Sequence, residues 1–179
     1  MNVRNRPVPD SMGESGISVF ESRHGPEFQM ALTSHAFPEL LHVRVGSGAI
    51  VFVRATGEES SIVCKAGTSV LIPERARHRI IDNVDDPMTV YGLAIDSKRF
   101  PSMAGLTDRL PEGRVRADGP PLDDLGLRIR RLLYLSGMQK DVVERASLIA
   151  GAVAVFADIA LTVRRSSIDF AMEESDSID

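Results

Sequence analysis

The feature that most constrains the fold is a series of short apolar runs between Ile17 and Ile95, interrupted by turn signals. The runs are "ISVFESR", "FQMALTSHAF", "LLHVRV", "AIVFVRAT", "SSIVCK", "SVLIP", "HRIIDNV" and "MTVYGLAI". Between them lie "HGPE", "GSG", "TGEE", "AGT" and "DDP", whose Gly, Asp and Pro residues favour turns. Many short strands with such punctuation predict a β-sandwich or barrel over residues 17–96.

The sequence period becomes helical after residue 121. Residues 97–121 carry several Pro and Gly residues and are predicted to form a connector. A first helix is predicted from Asp123 and Asp124, which suit a helix start, to about Gly137. Its apolar face contains Leu125, Ile129, Leu132 and Leu133. A second helix is predicted over about 141–165, so that a two-helix segment occupies 122–165.

The two ends of the chain differ from its body in composition. Residues 1–16 contain four Pro or Gly residues and are predicted to form a flexible arm. The last fourteen residues carry five acids and no base, which predicts a disordered acidic tail over 166–179. The remaining body carries 21 basic and 20 acidic residues. This balance, without a recognisable helix-turn-helix, predicts no nucleic-acid binding by this domain alone.

The number of cysteines and the apolar stretches indicate the cellular compartment of the chain. Cys64 is the single cysteine, so no internal disulfide can form, and it is interpreted as a small core residue. The N-terminus lacks the apolar core of a signal peptide, which makes the cytoplasm the expected compartment. The apolar stretch 146–163 contains one charge, Asp158, and favours a buried or paired helix over a membrane span.

Residues 33–45 place ionisable side chains within a strand-like alternation. Alternate side chains of a strand share a face. On that basis one side carries Thr33, His35, Phe37, Glu39, Leu41, Val43 and Val45. The apolar members of this set predict that this side faces inward. His42 and Arg44 are then expected to point outward, which removes His42 from the candidate ligands.

The same stretch resembles the first motif of the cupin family. Glu39 is followed, after six residues, by Gly46, as at the end of that motif. His35 stands at the position of the motif's second histidine. Thr33 stands where the pattern has its first histidine, so one of the family's usual four metal ligands is absent.

A later stretch resembles the second cupin motif. Gly67, five intervening residues, Pro73 and then His78 match its pattern. Asp82 replaces the motif's asparagine and Arg75 its glycine. Together the two resemblances imply a mainly β fold, a double-stranded β-helix or jelly-roll barrel of the cupin type, followed here by two C-terminal α-helices.

The cupin resemblance implies a metal-ligand set of His35, Glu39 and His78. Two imidazoles and one carboxylate can hold Zn²⁺, Fe²⁺, Ni²⁺ or Mn²⁺ with open positions. A buried His–Glu cluster can also satisfy itself by hydrogen bonding, or contact an organic ligand, without an ion. The metal-bound and metal-free interpretations both stay open at this point.

Two longer segments narrow the resemblance. "FQMALTSHAFPELLHVRVGSGAIVF" and "AGTSVLIPERARHRIIDNVDDPMTVYGLAI" are similar to the sugar-sensing cupins at the front of AraC-family transcriptional regulators. In that subfamily a histidine precedes a "PELLHV"-like strand, and two helices that dimerise follow the barrel. The resemblance covers about residues 17–165. The helix-turn-helix units of such regulators are absent from this sequence.

The resemblance implies a small-molecule effector, such as a sugar, held in the barrel. Thr33, His35, Glu39 and His78 are the candidate contacts. Tyr91 alternates with Val90 and is a further candidate, because its ring and hydroxyl suit a polar ligand. His24 lies at a predicted turn and is expected to be exposed rather than functional.

The second helix is predicted to form a homodimer. A seam at alternating steps of four and three contains Val142, Ala146, Ile149, Val153, Phe156, Ala160 and Val163. A second apolar row contains Leu148, Ala152, Val155 and Ile159. A helix that is apolar on both sides has more surface than one barrel can bury. The centre of the predicted interface comprises Ile149, Val153, Phe156 and Ala160.

Besides a structural cupin whose only role is self-association, two functions from different classes are compatible with the sequence. The leading interpretation is the ligand-sensing and dimerisation domain of an AraC-like transcriptional regulator, without enzymatic activity. The alternative is a small metal-dependent cupin enzyme of the dioxygenase or isomerase type that uses His35, Glu39 and His78. Thr33 at a ligand position and the lack of a clear general base favour the first.

Overall fold

The computed structural model describes residues 12, 15–100, 113–115, 124–138 and 141–175, with side chains described up to 162 in the last segment. Eight strands are present among these residues: β1 (Ile17–Arg23), β2 (Glu39–Val45), β3 (Ser47–Val53), β4 (Glu59–Lys65), β5 (Ser69–Ile72), β6 (His78–Asp82), β7 (Thr89–Ile95) and β8 (Gly113–Val115). A 3-10 turn covers Ser97–Arg99. Two helices follow, α1 (Leu125–Met138) and α2 (Val142–Ser175).

The strands form two antiparallel sheets. The first has the strand order β1-β7-β2-β5-β8, and the second has the order β4-β3-β6. The sheets face each other across an apolar interior, and the two helices cover the outside of the larger one. The prediction of a mainly β, cupin-like fold followed by two C-terminal helices is confirmed.

The space between the sheets is filled by alternate residues of both. Opposite residues in register share a face, and the pairs Leu41–Gly92 and Ile50–Ile80 lie on the inner one. The buried inner cluster comprises Leu41, Val43, Ile50, Phe52, Cys64, Val70, Ile72, Ile80, Met88 and Val90. Gly92 makes room for the ring of Phe20, since a Cβ at residue 92 would lie 2.0 Å from that ring. The interior is therefore packed with hydrocarbon, and Cys64 is a core residue.

A second hydrophobic core lies between the outer face of the larger sheet and the two helices. It comprises Ile17, Leu40, Leu71, Tyr91, Leu93 and Ile95 from the strands, and Leu125, Ile129, Leu132, Leu148, Ala152, Val155, Phe156 and Ile159 from the helices. The predicted apolar face of the first helix thus packs on the sheet, with Leu133 partly buried. A sheet buried on both faces explains why β5 and β7 are almost continuously apolar.

The charge in the apolar second helix has a partner in the first. Asp158 Oδ2 lies 2.7 Å from Nη2 of Arg128 in a half-buried ion pair between α2 and α1. Over the portion of the chain that the structure describes, no helix has the length and apolar character needed to cross a membrane. The interpretation of residues 146–163 as a paired helix agrees with this packing.

Several boundaries differ from the sequence prediction. Residues 28–37, predicted to lie in a strand-like run, precede β2 without joining a sheet, apart from a bridge at Thr33. The predicted connector contains β8, which pairs with β5. Helix α2 continues to Ser175, ten residues beyond its predicted end and into the segment predicted to be disordered. Most of the predicted N-terminal arm and residues 176–179 lie outside the described residues.

Two predicted orientations are wrong, one that rested on strand alternation and one that rested on a predicted turn. Val45, expected to face inward, is 49% exposed because the pairing of β2 with β7 shifts register between Val43 and Val45. His24, expected to be exposed, is buried and its Nδ1 lies 2.8 and 3.0 Å from the two carboxylate oxygens of Asp82. The backbone N–H of Met88 donates to the same carboxylate. Asp82 thus fastens the turn after β1 to the end of β6.

Candidate metal centre

The segment that carries His35 is held against the start of β6 by backbone hydrogen bonds. The N–H of Thr33 donates to the carbonyl of His78 at 2.9 Å, and the N–H of His78 donates back to Thr33. The N–H of Arg75 donates to the carbonyl of His35 at 2.7 Å. Arg75 has a left-handed φ of 63°, at the position where the cupin motif has glycine. These bonds place His35 beside His78, although the two are far apart in the sequence.

Glu39 and His78 reach the same point from opposite sheets. Glu39 begins β2 and lies in register with Ala94 and Ile72, on the inner face of the larger sheet. His78 begins β6 and lies opposite Phe52, on the inner face of the smaller sheet. Because the two sheets face each other, both side chains point into the same end of the barrel.

The structure brings His35, Glu39 and His78 together. Oε2 of Glu39 lies 3.8 Å from Nε2 of His35 and 3.8 Å from Nε2 of His78. One ligand atom from each residue lies within 4.8 Å of the others. The three residues therefore form one cluster at the rim of the barrel.

The hydrogen bonding of His78 leaves its inner nitrogen available. Nδ1 of His78 lies 3.1 Å from the carbonyl oxygen of Ala76. A carbonyl only accepts, so Nδ1 carries the proton and Nε2 presents a lone pair toward Glu39. Glu39 Oε1 and His78 Nε2 are buried and have no hydrogen-bond partner within the described part of the chain.

Burial also controls the charge of the cluster. Desolvation raises the pKa of Glu39 from 4.5 to about 7. Desolvation lowers the pKa of His78, and the nearby His35 lowers it further, against the opposing effect of the Ala76 carbonyl. The histidine is therefore neutral at neutral pH, which is the form that ligates metals.

The donor set fits a divalent transition metal. Two imidazole nitrogens and a carboxylate are ligands for Zn²⁺, Fe²⁺, Mn²⁺ and Ni²⁺. Bonds of about 2.1 Å place neighbouring ligand atoms about 3 to 3.5 Å apart, so the 3.8 Å separations require only small side-chain shifts. Buried polar atoms without a partner are costly, and an ion would satisfy those of Glu39 and His78 together.

Two further residues position the cluster, and sequence reasoning did not identify their roles. The ring of Phe37 stacks on that of His35, with centroids 5.2 Å apart and planes 7° apart. The carbonyl of Ala76 fixes the tautomer of His78. Phe37 was placed on the inward side by alternation, but a stacking role has no signal in the sequence. The Ala76 contact depends on the backbone between Pro73 and His78.

The other predicted ligand contacts lie elsewhere or act through the backbone. Tyr91, proposed as a pocket residue, is 6% exposed and lies on the outer face of the larger sheet, opposite His42 in register and under the helices. That prediction is wrong, because Val90 and not Tyr91 has the inward parity. Thr33 is half-buried and bonds to His78 through its backbone.

His42 lies on the outer side of the larger sheet, away from the cluster, as alternation predicted. It is not solvated there, because α1 covers it: a Cβ at Gly126 would lie 2.6 Å from Nε2 of His42. Its Nδ1 lies 2.9 Å from Oγ of Ser69, and burial lowers its pKa. His42 is therefore a buried contact between sheet and helix.

Several residues of the predicted dimer interface instead pack within the core of the same chain. Phe156 is 0% exposed and packs between α2 and the sheet, so it offers no surface to a partner. Ile149, Val153 and Ala160 are half-buried and pack against the same core. Val142 and Ala146 are exposed, and the side chain of Val163 lies outside the described part of the helix. The homodimer itself stays a prediction.

Comparison with known proteins gives distant likenesses that include solved structures of oxalate decarboxylase. No protein-family model matches the chain, and no curated protein matches it. A solved structure of oxalate decarboxylase matches with 17% identity and a TM-score of 0.42, over 46% of this chain and 22% of that one. A structure concerned with the Mn(II) centres of the Bacillus subtilis enzyme gives the same values. A mutant of that enzyme matches with 16% identity over 48% of this chain. The match thus spans less than a quarter of those chains.

Proposed function

We propose that this chain is a metal-binding cupin domain in which His35, Glu39 and His78 hold one divalent transition metal. The observation that carries the proposal is the convergence of three ligand atoms within 4.8 Å. Buried Glu39 Oε1 and His78 Nε2 have no other hydrogen-bond partner among the described residues. An ion is the simplest partner for two imidazoles and a carboxylate at this spacing.

The number of ligands favours a role with a bound small molecule. Structural zinc sites are closed by four protein ligands, whereas three protein ligands leave positions for water or substrate. When bound, such a metal supplies Lewis-acid or redox chemistry. The chain's own residues orient the site: the Ala76 carbonyl holds His78 and the Phe37 ring holds His35. The function best supported is a small metal-dependent enzyme of the dioxygenase or isomerase type.

A second candidate is the sensing and dimerisation domain of an AraC-like regulator. The sequence resemblance supports it, as does the layer of two helices on the sheet. Leu127 and Tyr134 on α1 are each 67% exposed, and Val142 at the start of α2 is 77% exposed, which suits contact with a second copy. In this role the cluster would bind an effector, and a separate domain would contact DNA.

Metal titration followed by thermal melting tests the proposal. Protein stripped with EDTA is titrated with Zn²⁺ or Mn²⁺, and a bound ion at about 100 times its Kd is expected to stabilise the fold by about 3 kcal/mol. His78→Gln, which retains most of the side-chain volume, is expected to lose this gain. His42→Ala is the matched control, because His42 lies on the opposite face of the same sheet as Glu39.

The two histidine variants make the result specific to the cluster. Stabilisation retained by His42→Ala and lost by His78→Gln supports the proposed site. Equal metal-induced increases in the melting temperature of wild type and His78→Gln would show that the ion binds at another site, which would contradict the proposal. Circular dichroism of the metal-free variants establishes that both are folded before titration.

A further inference from the structure

A cleft lies beside the cluster, outside the packed interior of the barrel. Its volume is about 420 Å³, within the range of small-molecule sites. The segment before β2 forms one wall and the turn after β7 forms the other. The residues that matter for its chemistry are Ser34, His35, Phe37, Asp96, Lys98 and Arg99.

His35 joins the cleft to the cluster. It is one of the cleft's lining residues, and its Nε2 faces Oε2 of Glu39 at 3.8 Å. Its side chain is 10% exposed, against 2% for Glu39 and 0% for His78. A molecule that enters the cleft therefore meets the cluster first at His35.

The charge of the cleft is positive. Asp96 is engaged by its own turn: it lies 3.3 Å from Nε of Arg99 and accepts from the backbone N–H of Lys98. The ammonium of Lys98 forms no ion pair with a described residue. One cation in the cleft thus has no ion pair among the residues that the structure describes, and an anionic ligand would supply one.

The remaining lining combines an apolar surface with a hydroxyl. Phe37 lines the cleft, and its ring stacks on that of His35. Ser34 adds a hydroxyl that can donate or accept. An apolar surface with a few polar groups, and one cation that forms no ion pair with a described residue, suits a small organic anion.

We propose that this cleft binds a small organic carboxylate, with its charge at Lys98 and its apolar body against Phe37. The ligand lies next to His35 and so at the entrance to the metal cluster. That this carboxylate is the compound on which the metal acts rests on the proposed function. Binding of the carboxylate in the cleft does not rest on the proposed function, because Lys98 and Phe37 line the cleft whether or not a metal ion is bound.

Calorimetric titration of the EDTA-treated full chain with benzoate and with benzamide tests the cleft. The two probes share a ring, but only benzoate carries a charge. Benzoate is expected to bind about tenfold more tightly, the effect of one charge-assisted hydrogen bond. Lys98→Met is expected to remove that advantage. Lys65→Met is the control, because Lys65 is an exposed lysine on β4 and not a lining residue.

The outcomes separate this proposal from the metal proposal. Equal affinities for benzoate and benzamide, or unchanged benzoate affinity in Lys98→Met, would overturn the carboxylate cleft whether or not the protein binds metal. A tenfold preference that depends on Lys98 supports the cleft even in a protein that takes up no ion. Repeating the titration with metal-loaded protein then shows whether the ion tightens benzoate binding.

Discussion

Glutamine in place of Glu39 is expected to stabilise the metal-free protein by about 3 kcal/mol at pH 8 and to abolish its stabilisation by metal. Burial raises the pKa of this carboxyl from 4.5 to about 7, so at pH 8 the folded protein holds an ionised carboxylate in a site shielded from water. Glutamine is nearly the same shape but cannot ionise, which removes that cost. It also removes the one charged ligand of the proposed set of His35, Glu39 and His78.

The pH dependence follows from the direction of this shift. A carboxyl whose pKa is higher in the folded chain binds its proton more tightly there than in the unfolded chain. Its contribution to stability is complete below pH 4.5, declines as the pH rises, and is lost above about pH 7. The benefit of Glu39→Gln should therefore be absent at pH 4 and complete near pH 8. Metal affinity of the wild type should rise over the same interval, because the ion displaces the proton.

Urea unfolding of the metal-free proteins at pH 4, 6 and 8 measures this effect. Glu58→Gln is the matched control, because Glu58 is exposed and pairs only with the exposed Arg54 among the described residues. Its stability should follow the wild type at each pH. A Glu39→Gln protein that is no more stable than wild type at pH 8 would show that the carboxyl is solvated or already neutralised.

Alanine in place of Phe156 is expected to lower the free energy of unfolding by about 4 kcal/mol. The side chain is fully buried in the core between the helices and the larger sheet. Its removal leaves a cavity that the rigid sheet cannot close. Leu161→Ala is the control on the same helix, because Leu161 is 51% exposed and should change stability by less than about 1 kcal/mol.

Light scattering of the same variants separates intrachain packing from association. Phe156→Ala should be destabilised at every protein concentration, since the contacts that it loses lie within one chain. A variant that keeps wild-type stability but changes from dimer to monomer would place Phe156 in a seam between two copies, as the heptad pattern predicted. That result would contradict the packing of α2 described above.

The fold was accessible from the sequence because two kinds of pattern agree. Short apolar runs between Gly- and Pro-bearing turns indicated the strands, and the helical spacing of Leu125, Ile129 and Leu132 indicated α1. Several of the apolar residues at heptad spacing in α2 indeed pack against the core, but their spacing does not reveal whether they pack against the same chain or against a second copy. Phe156 faces the sheet of its own chain because that sheet has a second apolar face, which the alternation within any single strand does not reveal.

The residues of the metal cluster were partly predictable, because they lie at the spacings of the two cupin motifs. Glu39 and His78 sit at motif spacings, and these brought them into the candidate set together with His35. Tyr91 was misassigned because its face depends on the register of β7 against β2, which pairs it with His42. The cleft has no local sequence signal, because its walls come from segments more than fifty residues apart that meet only in the fold.

Anomalous X-ray scattering from crystals grown with Zn²⁺ locates the ion and so shows whether this cluster binds it. One strong peak per chain is expected, in contact with Nε2 of His35, Nε2 of His78 and the carboxylate of Glu39. This peak is expected to be absent from Glu39→Gln crystals grown in the same way. A wild-type structure without a peak at this cluster, or with zinc bound only at other residues, would contradict the proposed metal site.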